Sequence, residues 1–177
     1  MESSGRAIGR LAVGLVLALA AGRAGAVTIQ FRATDLPDLG SADRWQLEYF
    51  VSGGSFDGGF GFSILFPVGE AENLQVLPTH PAADWDALAL QPDAILSSDG
   101  RYDAQAQVDG ASLASPFTVS FDWLGPGTPG AQAFELYDPS FATIGTGTTV
   151  PIPEPAAIAI LIPGFAALAW RRRPGRD

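Results

Sequence analysis

The sequence predicts an all-β protein, an antiparallel β-sandwich or jelly roll, flanked by an N-terminal signal helix and a C-terminal transmembrane helix. Three observations carry that expectation. Through the middle of the chain apolar residues recur with a period of two, the spacing that places every second side chain on one face of a strand. Clusters of Gly, Pro, Asp and Ser break these runs at intervals of roughly ten residues, as in sandwiches. The same region has no 3.6-residue apolar stripe to suggest an amphipathic helix, and no repeat of fixed period.

Taken in order, residues 1–26 read as a secretory signal peptide. Arg6 and Arg10 form a positive start, Leu11 to Ala21 is an apolar core, and Ala24-Gly25-Ala26 is an A-x-A cleavage site, so signal peptidase is expected to cut before Val27. Arg23 lies close to that site, and the alternative is a retained N-terminal anchor. Val27, Ile29 and Phe31 open the strand series, followed by Trp45, Leu47, Tyr49 and Val51, then Phe60, Phe62, Ile64 and Phe66. Tyr102, Ala104, Ala106 and Val108 form another run. Phe117, Val119, Phe121 and Trp123, alternating with Thr118, Ser120 and Asp122, give the clearest half-buried strand, with the threonine and serine expected on its solvent side. Shorter strands fit Leu74 to Leu77, Trp85 to Leu90, Gln132 to Tyr137 and Phe141 to Thr146. So many aromatics require two facing sheets to bury them.

The domain is expected to span residues 27–146. Gly145 to Pro153 consists of small residues, Thr, Pro, Val and Ile and reads as an extended linker, so residues 147–155 are assigned as a linker ending in Pro153-Glu154-Pro155. Ala156 to Trp170 is uncharged and rises ~22 Å as a helix, against a hydrocarbon core of ~30 Å. It is a short transmembrane helix whose span needs thinning or snorkelling. Trp170 sits where interfacial aromatics sit, and Arg171, Arg172 and Arg173 in the tail 171–177 mark the cytoplasmic side.

This tail resembles the PEP-CTERM sorting signal of Gram-negative bacteria: Pro153-Glu154-Pro155, a short membrane segment rich in small residues, then the Arg171 to Arg173 cluster. Pro163 departs from the plain Leu/Gly/Ala run more usual there. The resemblance implies an exosortase substrate, held briefly in the inner membrane, processed by that membrane-embedded transpeptidase-like enzyme, and delivered to the cell surface or extracellular matrix, where exopolysaccharide is a partner to expect. Phe117 to Tyr137, with Trp123-Leu124-Gly125, the turn Thr128-Pro129-Gly130 and then Gln132 to Tyr137, is similar to the C-terminal half of other small exosortase-substrate ectodomains. It implies no activity.

Charge and composition narrow the function further. Of 19 acidic residues, all but Glu2, Glu154 and Asp177 fall in the exported part, where only Arg32, Arg44 and Arg101 oppose them; its net charge is about −13. Such a surface repels nucleic acid. Cysteine and lysine are absent, so no disulfide staples the fold, and zinc lacks its usual ligands. His80, the one histidine, is the only candidate base for a nucleophile, and it sits in the loop Leu77-Pro78-Thr79-His80-Pro81 without a serine elbow. Asp84 with Asp86, or Glu135 with Asp122, are the acid pairs to weigh for a secreted hydrolase, against plain solvated strand faces. No catalytic residue and no enzyme activity is expected.

Calcium is the one cofactor considered, because hard cations take several loop oxygens. Asp35 with Asp38, Asp84 with Asp86, and above all Asp99 with Asp103 could supply them, the alternative being solvated acidic loops. The function expected is structural or interactive, with a lectin-like sugar-binding module as runner-up. For that module Trp85 is the candidate ligand platform, whereas Trp45 and Trp123 continue core faces.

Overall fold

The computed structural model describes residues 26–153; the expected signal helix, membrane segment and basic tail lie outside the described residues. Alternation produces ten strands: β1 (Thr28–Asp35), β2 (Asp43–Ser52), β3 (Gly61–Phe66), β4 (Ala71–Leu77), β5 (Trp85–Leu90), β6 (Gly100–Ala106), β7 (Phe117–Trp123), β8 (Ala133–Tyr137), β9 (Thr143–Thr148) and β10 (Val150–Pro151). They form two five-stranded sheets, ordered β10-β1-β2-β7-β4 and β5-β6-β3-β8-β9. Every pairing is antiparallel except β1 with β10, which is parallel. All nine expected strands are present within a few residues, and β10 is additional.

The inward rows meet across one shared core. From the first sheet come Ile29, Phe31, Leu47, Tyr49, Phe117, Val119 and Phe121; from the second come Phe62, Ile64, Phe66, Tyr102 and Ala104. Aromatic rings lock the sheets together edge to face: Phe62 meets Phe117 at 4.9 Å and 89°, and Phe66 meets Phe121 at 5.3 Å and 62°. That geometry sets the positive ring edge on the negative face and adds to the burial energy. All of these residues lie between Val27 and Thr149, so the domain holds its own core.

Two devices close the layers at their margins. At the edge of the first sheet β4 is bulged at Asn73, a non-glycine residue at φ 55°. The Gln91 side chain, just past β5 of the other sheet, repairs the gap: the Leu74 N–H donates to Gln91 Oε1 at 2.8 Å and Gln91 Nε2 donates to the Leu74 carbonyl at 2.7 Å. An amide side chain thus stands in for a strand neighbour. On the second sheet Gly61 lacks a side chain where Tyr137 lies across β3, since a Cβ there would strike the Tyr137 ring and the Ala104 carbonyl.

Several sequence expectations are corrected. Up to Pro151 the segment read as a linker is β structure: β9 is the outer strand of the second sheet, and the chain then crosses to add β10 to the first, so the domain extends beyond residue 146 to Pro151, while Glu154 and Pro155 lie outside the described residues. Thr118 and Ser120 are buried although they face away from the core. Strand β7 lies between β2 and β4 in its sheet, and its outer face is partly covered: Thr79 donates to the Pro116 carbonyl at 2.8 Å, its hydroxyl lies 2.6 Å from that of Thr118, and Ser120 sits at a pocket that Leu39, Asn73 and Gln75 also line. Phe141 precedes β9, in a turn at φ 61°.

Candidate functional site

The edge where the chain leaves the domain is built by a buried polar lock. Gln132 precedes β8 and Thr149 lies between β9 and β10; both are buried. The Thr149 N–H donates to the Gln132 carbonyl at 2.8 Å, and the Gln132 N–H donates to Thr149 Oγ1 at 2.9 Å. Gln132 Oε1 accepts from Tyr49 and from the Thr149 hydroxyl, both at 3.3 Å, while its Nε2 donates to the Gly130 carbonyl. Burial first, then the nearby Tyr102, pushes the Tyr49 phenol well above its ordinary range, so it stays a neutral donor.

From that lock Val150 and Pro151 run beside β1, and the Ile152 N–H donates to the Phe31 carbonyl at 2.8 Å. Proline suits an outermost position because it needs no ladder donor. Ile152, Pro151, Pro129, Phe31 and Trp45 line a groove at this end of the sandwich, with Arg32 and Asp35 among its polar residues. Trp45 is half-buried, and its indole N–H donates to Asp43 at 2.8 Å. Pro153 is exposed and is the last described residue. Of the expected sorting residues, Glu154, Pro155, Arg171, Arg172 and Arg173 lie outside the described residues, as does Ala24 of the cleavage site; Ala26 is exposed at the other end.

The outer face of the second sheet carries a second polar network. Asp103 accepts from Ser63 and from the Tyr137 phenol, each at 2.6 Å, and Arg101 bridges Glu135 at 3.0 Å. Burial, followed by the bond to Asp103, pushes the Tyr137 phenol upward. Asp99 instead accepts the Val68 N–H at 3.1 Å, from a loop. Asp99 and Asp103 are thus separated by about four residues of extended chain, ~13 Å, and Asp103 is committed to hydroxyls. The structure does not bring them together as a calcium site.

Three carboxylates do converge. Oxygens of Asp35, Asp38 and Asp43, all exposed, lie within 4.8 Å of one another around the β1–β2 turn. The sequence suggested Asp35 with Asp38; Asp43 joins them because the hairpin folds back, with the Leu36 N–H donating to the Arg44 carbonyl at 2.8 Å.

Trp85 is not a surface platform. It is 2% exposed, packed edge to face on Phe117 at 4.9 Å and on Phe56 at 5.3 Å, and its indole N–H donates to the Ser112 carbonyl at 2.8 Å. Strand alternation alone would set the flanking acids on one face, but Asp84 lies before β5 and accepts the Ser112 N–H at 2.9 Å, whereas Asp86, inside the strand, faces solvent. Asp122 bonds Asn73 at 2.7 Å on the outside of the first sheet and Glu135 bonds Arg101 on the outside of the second, so they cannot flank one substrate. His80 stacks on Phe117 at 5.9 Å and 9°, and its buried Nδ1 has no bonding partner; burial lowers its affinity for a proton, with Asp86 opposing.

No protein-family model, curated protein or solved structure matches the chain. Among the described residues no helix is long and apolar enough to cross a membrane.

Proposed function

We propose that the protein is an exported substrate of an exosortase-type system, with a structural or interaction role at the cell surface or in the exopolysaccharide-bearing matrix. One observation carries the reading: the tail in which Pro153-Glu154-Pro155, an uncharged segment and Arg171-Arg172-Arg173 follow in order. The layout of the domain suits it, because Pro153 leaves at an exposed edge, anchored behind by the Thr149 lock. The domain would stand close to the membrane: from Pro151 to the start of the apolar segment at Ala156 is five residues, at most ~17 Å. An acidic, disulfide-free sandwich of this kind is a solvated surface element.

Processing tests the reading. Mature protein recovered from envelope or medium should lack residues 1–26 and the Arg171 cluster by mass spectrometry, and replacing Pro153-Glu154-Pro155 with alanines should strand the protein in the inner membrane. Surface-exposed protein that still carries Arg171 to Asp177 would remove the proposal.

A further inference from the structure

The two sheets leave four outer strands among the described residues, and three of them are guarded. Strand β4 is kinked at Asn73 and braced by Gln91 to the end of β5, so these two edges are tied to one another. Strand β10 is two residues long and contains Pro151. Short strands, bulges, cross-braces and proline are the usual ways in which edges avoid pairing with other chains. Strand β9 is the least guarded: Thr143-Ile144-Gly145-Thr146-Gly147-Thr148 lacks charge and proline, and its one bulge, at Ile144, lies at the start of the strand, so that Gly145 to Thr148 run in regular register with β8.

Its free bonding groups can be named. Because the Thr149 N–H donates to the Gln132 carbonyl, Thr149 turns its backbone toward β8. Antiparallel ladders alternate, so Gly147 and Gly145 also bond inward, while Thr148 and Thr146 direct their N–H and carbonyl groups outward. Exposed apolar side chains flank the row: Phe141 at 69%, Ile144 at 58% and Val150 at 48%. The Phe141 turn is held rigidly, since Asp138 accepts from the Ser140 and Ala142 N–H groups and the Ser140 hydroxyl.

We propose that β9 is a self-association edge, at which two copies of this chain pair β9 to β9 antiparallel about a two-fold axis and join their second sheets. Charge selects the occupant. Residues 139–153 contain no charged side chain, in a domain of about −13 net charge. Two copies repel wherever acids face each other, so close approach is least opposed on this surface. A basic partner would gain more from the acidic faces. A two-fold axis presents the same row to itself, and the outward Thr146 and Thr148 groups supply donors and acceptors in equal number. The inference is independent of the sorting route.

The test is sedimentation of the full chain in detergent over a range of concentrations, comparing wild type with Thr146→Lys, Thr146→Pro and the control Thr34→Lys. Wild type and Thr34→Lys should dimerise, more strongly as salt screens the acids, whereas both Thr146 variants should remain monomeric with an unchanged melting temperature. Thr146→Lys makes the net charge less negative by one, as the control does, so its loss of dimer cannot come from charge number. If Thr146→Pro fails to fold, the lysine pair decides. In this cysteine-free chain, Thr146→Cys or Thr148→Cys should also give a disulfide-linked dimer that Thr34→Cys does not, because paired edge residues sit ~5.5 Å apart, within disulfide reach. A wild type monomeric at every concentration, or a dimer that persists in the folded Thr146 variants, overturns the proposal.

Discussion

Gln132 and Thr149 are bonded to each other three times, backbone to backbone, backbone to hydroxyl, and hydroxyl to amide, in a buried setting at the point where the chain passes from one sheet to the other. Each leaves the other unsatisfied if removed. Thr149→Val should therefore cost ~1–3 kcal/mol, the penalty of burying orphaned polar groups. Urea unfolding measures it, and a double variant with Gln132→Leu should cost less than the sum of the singles.

The two faces of β7 should differ in the kind of loss as well as its size. Phe121→Ala should cost ~3–5 kcal/mol through the cavity left against Phe66. Thr118→Ala should cost ~1–2 kcal/mol, a lost bond and a lost methyl at a fully buried position. A Thr118 variant as stable as wild type would show that the Thr79 cover does not hold in solution.

Alkaline pH should unfold the domain through its phenols. Tyr49, Tyr102 and Tyr137 are all raised above 10, in each case first by burial, so the folded state keeps protons that the unfolded state releases. Their contribution is complete below pH ~10, the ordinary phenol value, and is lost as pH climbs above it. Melting temperature should fall across that range together with the rise of phenolate absorbance, and Tyr49→Phe should make the fall shallower.

Asp103 should act as a hydrogen-bond acceptor. Asp103→Asn, which cannot accept from both Ser63 and Tyr137 in the same way, should lower stability by ~1 kcal/mol, equally in calcium and in sodium chloride of matched ionic strength. A loss that appears only with calcium would restore this residue as a metal ligand.

Among Asp35, Asp38 and Asp43 the carboxylates repel one another. Asp38→Asn should raise the melting temperature slightly at low salt, and the gain should vanish as salt is added. Differential scanning calorimetry at two ionic strengths reads both halves of that expectation.

The sequence by itself determined where strands run and which side chains point inward, because alternation is a local property: Leu47, Tyr49, Phe62, Ile64, Phe117 and Phe121 are core residues in the structure as in the pattern. It also contains, without help from any fold, the Pro-Glu-Pro tail and the imbalance of charge. Tertiary structure decided what covers the second face. Alternation marks two faces of β7 but cannot say that β4 and Thr79 bury Thr118, nor that Phe56 and Phe117 enclose Trp85. It decided too that a Thr-Gly run resembling a linker is a strand, since β9 takes its order from β8 and from the Thr149 lock rather than from any apolar period of its own. The β-branched Thr, Ile and Val residues of Thr143 to Ile152 were the available signal, weak because edge strands owe their stability to non-local partners. Whether acids gather or scatter likewise depended on turns and registers: a hairpin brought Asp43 to Asp35 and Asp38, whereas strand β6 carried Asp103 away from Asp99.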